Sequence, residues 1–157
     1  MNFRVRWRWW LLTAVSALWL LWMTMRPDST PNQINLVPLA EHGQALVCLL
    51  RGDCANTGRV FWFLFIDVLG NIAVFTPLGL GLAGCLHRSR LWPTLGRTAL
   101  VGFLFSLTIE LSQLAIPTRA TDVDDLIFNT LGVVAGAIGF VSLQRLKLAP
   151  NRAKRIL

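Results

Sequence analysis

Four long apolar runs, separated by loops that hold nearly all of the charge, restrict this chain to a helical bundle inside a bilayer. The runs cover about residues 9–25, 61–86, 95–116 and 123–143. Each is close to the roughly 20 residues that a helix needs to cross about 30 Å of hydrocarbon. Only 15% of the 157 residues are charged, where a water-soluble domain carries roughly 25%. The mean hydropathy of +0.55 agrees. The expected fold is therefore all-α: a polytopic integral membrane protein with a four-transmembrane-helix bundle, forming one domain over residues 1–157.

Basic residues set the orientation. Eleven of the fifteen Lys and Arg residues fall at the N-terminus (Arg4, Arg6, Arg8), around the start of the third run (Arg88, Arg90, Arg97) or at the C-terminus (Arg145, Lys147, Arg152, Lys154, Arg155). Such a bias marks the cytoplasmic side, so both termini are expected inside. The net charge of +7 is accounted for by this rule and by anionic headgroups, and no nucleic-acid partner is implied. Arg4, Arg6 and Arg8 before an apolar run resemble the start of a signal peptide. No small-residue exit follows Met25, where Arg26-Pro27-Asp28 stands instead, and an uncleaved first helix is expected.

Residues 26–60 form the only long connection. Pro27, Pro31 and Pro38 interrupt any helix at its start. Leu46-Val47-Cys48-Leu49-Leu50 is too short to span, so a short interfacial helix is expected in this outer loop. Cys48 and Cys54 face the oxidising side and are candidates for a disulfide, whereas Cys85 lies in the inner half. The cysteines and the two histidines, His42 and His87, lack metal-ligand spacing, so neither metal nor cofactor is expected. Both histidines read as ordinary loop residues.

All eight carboxylates lie in the outer loops or the outer ends of spans. Asp28, Glu41 and Asp53 are in the first loop. Asp67, Glu110, Asp124 and Asp125 sit in or beside apolar stretches, and Asp122 opens the fourth span. An ionisable group within a span costs a few kcal/mol and points to function. Amides accompany them at helical spacing: Asn71 after Asp67, Gln113 after Glu110, Asn129 after Asp125. A structural role is the competing reading. Thr121-x-x-Asp124 has the spacing of a capping box, and the amides can serve as interhelical glue. Asp125, Asn129, Gly132 and Gly136 form one stripe, polar outside and small inside. With Arg119 in the short loop between spans three and four, Glu110, Arg119 and Asp125 are expected to form one unit at the outer boundary.

Asn35-Leu36-Val37-Pro38, the stretch DVLGNIAVFTPLG from Asp67 to Gly79, Ile109-Glu110-x-x-Gln113, and Arg119-x-x-Asp122-x-Asp124-Asp125-x-x-x-Asn129-Thr130-x-Gly132 resemble the VanZ-like family in four motifs in the right order, over about residues 32–140. Phe75-Thr76 departs mildly from the phenylalanine-isoleucine pair that relatives often carry. The resemblance implies a small multi-pass protein of the bacterial cytoplasmic membrane. It further implies a link to teicoplanin resistance, the property of the member that gives the family its name. It implies no settled reaction.

The leading expectation is a non-enzymatic envelope protein whose outward polar pocket binds a lipid headgroup, a lipid-linked cell-wall precursor or a lipoglycopeptide-like amphiphile. That pocket would be built from Asp67, Asn71, Glu110, Gln113, Arg119, Asp122, Asp124, Asp125 and Asn129, with Arg119 suited to clamp an anion. The alternative is a membrane enzyme acting on an outer-leaflet lipid-linked substrate, with Glu110 and Asp125 or Asp67 as general acid and base. A small transporter is the third reading, weakened by the lack of an internal repeat.

Overall fold

The computed structural model describes residues 3–27, 34–87 and 91–153, with side chains described over 6–27, 34–87 and 92–146. Asp28, Arg88, Arg90, Lys154 and Arg155 lie outside the described residues, as do the side chains of Arg4, Lys147 and Arg152.

The fold is all-α apart from one short bridge. α1 runs Phe3–Thr24, α2 Ala40–Arg51, α3 Thr57–Leu64, α4 Asn71–Leu86, α5 Leu91–Gln113 and α6 Val123–Ala153. A π-helical segment, Phe65–Gly70, joins α3 to α4, so one helix is continuous over Thr57–Leu86. Two-residue strands, β1 (Ile34–Asn35) and β2 (Thr121–Asp122), pair in parallel, with Asn35 opposite Asp122. This bridge pins the α1–α2 connection to the α5–α6 connection.

Among the described residues, three helices are long and apolar enough to cross a membrane: Thr57–Leu86, Trp92–Gln113 and Val123–Leu146. α1 has 22 residues and reaches about 33 Å at 1.5 Å per residue, but Arg4, Arg6 and Arg8 dilute its apolar character. Its inner face packs on α4. Gly84 lies against the Trp9 ring and Gly81 against Thr13, whose hydroxyl stands 3.7 Å from Cys85 Sγ. The connection after α1 carries α2, which is longer than the apolar pentapeptide suggests.

α4 and α6 form the tightest pair in the bundle. Gly132 meets the backbone at Ile72, Gly136 meets Thr76 and Leu80, and Gly79 meets Val133. Without side chains at these positions the two backbones come into direct contact. Phe75, Leu78, Leu82, Ile109, Val133 and Leu20 make the apolar centre. Trp10, Leu18, Trp22, Leu100, Leu104, Leu131 and Ile138 point outward, while Thr98, Ser106, Gln113 and Asn129 are buried. Apolar outside and partly polar inside is the arrangement that lipid favours over water.

Candidate functional site

The site lies where α2, the π-helical segment and the start of α6 meet, and His42 is its centre. His42 is carried on the first turn of α2 and is buried, 7% exposed. Its Nδ1 lies 2.8 Å from Asp124 Oδ2 and its Nε2 2.8 Å from Asp67 Oδ2. The ring is flanked by Phe63, roughly parallel at 5.2 Å between centroids, and by the edge-on Phe128 at 5.0 Å. Two carboxylates and two aromatic rings therefore fix both the position and the tilt of the imidazole.

The backbone around the site is shaped to deliver these groups. Asp67 stands in the π-helical turn, an irregularity often found at functional sites. Leu39, which precedes α2, is left-handed at φ 58°, a conformation that costs a non-glycine residue about 1–3 kcal/mol. It is held there by its own N–H, which donates to Asp124 Oδ1 at 2.6 Å. Asp124, fully buried, thus serves α2 twice, through Leu39 and through His42. The other end of α2 is tied by a disulfide between Cys48 and Cys54.

A second layer extends from Asp122. Its carboxylate accepts from Asn35 Nδ2 at 3.2 Å and from the backbone N–H of Asp124 at 2.8 Å. Its own backbone N–H donates to Glu110 Oε2 at 3.0 Å. Asp122 is thus the residue that caps α6. The capping box read at Thr121 and Asp124 does not form: Thr121 is in the strand pair, and its buried hydroxyl has no partner among the described residues. One turn on, Asp125 Oδ1 accepts from Asn71 Nδ2 at 2.6 Å.

Of the residues singled out in the sequence, Asp67, Asn71, Glu110, Asp122, Asp124 and Asp125 are gathered at this end of the bundle. Gln113 turns to α1, donating to the Thr24 carbonyl at 3.1 Å. Asn129 lies deeper and donates to Ser106 Oγ at 3.0 Å. Arg119 is within electrostatic range of Glu110 and Asp125, but no ion pair to it within 4.0 Å occurs among the described residues, and its buried Nε has no partner.

His42 is a correction: it is no ordinary loop residue. Its partners lie 25 and 82 positions along the chain, so no local spacing reveals it. Asn35 was visible only as part of the Asn35-Leu36-Val37-Pro38 motif.

Beside His42 opens a groove of about 560 Å³ between α2 and the α3–π helix, with Leu39, Leu46, Leu49, Phe61 and Phe65 among its walls. Among the described residues, His42 is its one polar lining residue. The volume is that of a ligand pocket, for which about 300–1,000 Å³ is usual.

The family model described as VanZ/LLP1 matches residues 9–144, most of the chain and every element of the site. This chain belongs to the VanZ-like family. No curated protein and no solved structure matches it. As a VanZ-like envelope protein, it carries on one end of its bundle a histidine held between two carboxylates beside an apolar groove.

Proposed function

We propose that the chain is a four-span protein of the bacterial cytoplasmic membrane, with both ends inside, whose outer end binds an amphiphile. The head would sit at the Asp67–His42–Asp124 centre and the apolar chain in the groove. A lipid headgroup, a lipid-linked cell-wall precursor and a lipoglycopeptide-like compound all have this form. The observation that carries the reading is the groove, whose apolar walls include one buried polar ring, His42. The side assigned to it fits the Cys48–Cys54 disulfide, which an oxidising compartment preserves. Expression in a teicoplanin-susceptible bacterium tests the reading in cells. Tolerance should rise with this chain and fall back with His42→Ala at matched membrane expression. An unchanged response to teicoplanin in both cases would remove lipoglycopeptides from the candidates.

One observation favours a second reading, a membrane enzyme acting on an outer-leaflet lipid-linked substrate. A histidine bonded on both sides to carboxylates can pass a proton between them, and Asp67, Asp125 and Glu110 supply acids and bases nearby. Purified protein incubated with lipid-linked cell-wall intermediates separates the two. A change of substrate mass that depends on His42 supports the enzyme; bound and unaltered lipid supports the binder.

A further inference from the structure

The hydrogen-bond inventory of the site narrows the chemistry of the head it would hold. Around Asp67 the donors are spent within the protein, whereas Arg119, whose buried Nε has no partner among the described residues, stands by Glu110 and Asp125. Both His42 nitrogens face Asp67 and Asp124, and the amides of Asn35 and Asn71 go to Asp122 and Asp125. Acceptors remain. Asp67 Oδ1, Asp125 Oδ2 and Glu110 Oε1 have no hydrogen-bond partner among the described residues, and the Asp67 side chain is 34% exposed.

Charge points the same way. The Asp67–His42–Asp124 trio can be an imidazolium between two carboxylates, or a neutral ring between a carboxylate and a carboxylic acid. Both forms hold the same number of protons and leave one net negative charge. Asp122, Asp125 and Glu110 stand beyond it, with Arg119 as the nearby guanidinium. An anionic head would bring further acceptors to a place that already has a surplus and would meet like charge. An ammonium brings three N–H donors and no acceptor.

We infer that the site takes an amphiphile with a primary ammonium head, its N–H groups donating to Asp67 Oδ1 and its chain lying in the groove against Leu46, Leu49, Phe61 and Phe65. This assignment rests on the amphiphile reading above. A hydroxylated neutral head offers donors without the charge and should bind more weakly, because it lacks the Coulomb attraction between an ammonium and the carboxylate.

The test uses the full chain in phosphatidylcholine nanodiscs, titrated calorimetrically with dodecylamine, dodecyl glucoside and dodecyl phosphate, with empty nanodiscs as the partition blank. Dodecylamine should bind saturably and at least about tenfold more tightly than either of the others. Asp67→Asn should bring it level with the glucoside, and Leu49→Trp, which fills the groove, should weaken all three. Phosphate or glucoside binding as tight as the amine overturns the ammonium assignment and leaves the amphiphile reading standing. No saturable binding of any of the three overturns both. Should Asp67→Asn not fold, the ranking of the three heads on the unaltered protein decides the matter alone.

Discussion

His42 Nδ1 lies 2.8 Å from Asp124 Oδ2, joining α2 to the first turn of α6 across 82 residues of chain. Asp124 has no exposed surface, so its carboxylate depends on His42 and the Leu39 N–H for everything that water would have supplied. Removing one partner of a buried charged pair costs about 3–5 kcal/mol, since the desolvation of the other is left uncompensated. His42→Leu should therefore destabilise by about that amount, seen as a lower midpoint of thermal unfolding in detergent. His42→Leu combined with Asp124→Leu should be milder than His42→Leu alone. A double variant at least as damaged as the sum of its parts would mean that the two residues do not act as a pair.

The disulfide should act on the same helix from its other end. Cys48 and Cys54 close a loop of six residues in sequence separation, worth about 2 kcal/mol by loop-closure entropy. Cys48→Ser should lower stability by about that much. In intact cells a membrane-impermeant maleimide should label the pair only after reduction, and it should not reach the buried Cys85 in either state. Labelling without reductant would show free thiols.

Glycine substitutions should divide sharply by position. A methyl group at Gly136 would fall on the Thr76 carbonyl and the Leu80 nitrogen, which are backbone and cannot yield. Gly136→Ala should therefore force α4 and α6 apart and lose folded protein in a size-exclusion assay. Gly96, within α5, has nothing within 4 Å of the same position. There, Gly96→Ala should be neutral or stabilise by up to about 1 kcal/mol through helix propensity alone.

Much of the bundle was legible because hydrophobic length is a strong signal and survives ignorance of packing. The all-α fold has three helices, among the described residues, long and apolar enough to cross a membrane, and Gly132 and Gly136 lie against α4. Other features were set by long-range contacts that no spacing encodes. Asn71 has helical register with Asp67 but bonds Asp125, 54 residues away. Gln113 lies one turn from Glu110 yet reaches α1. His42 gave no signal at all, because a histidine four residues past a proline in a loop looks the same whether or not two carboxylates will close on it.

Asp122 should prove a positioning residue. It links Asn35, the Asp124 N–H and, through its own N–H, Glu110. Asp122→Asn keeps an oxygen for the cap, whereas Asp122→Ala removes the cap and the Asn35 contact together. Loss of a helix cap costs about 0.5–2 kcal/mol. The alanine variant should unfold earlier than the asparagine variant, and hydrogen exchange should rise at Asp124 and Leu39 first. Equal stability of the two would show that the cap carries no energy here.

The orientation can be tested without reference to function. α1 packs along α4 through Trp9 and Thr13, and at the opposite end Gln113 of α5 reaches its Thr24 carbonyl. α1 is therefore bracketed by the same two levels as the three strongly apolar helices. On the proposed four-span topology, the Lys and Arg bias would put the Arg6 and Arg8 end in the cytoplasm, and the fourth crossing would return the C-terminus to the same side. Reporter fusions after Leu157 and between Leu86 and Leu95 should read cytoplasmic, and a fusion between Ala40 and Thr57 should read external. An external reading at Leu157 would place the His42 centre on the cytoplasmic side, where an outer-leaflet ligand could not reach it.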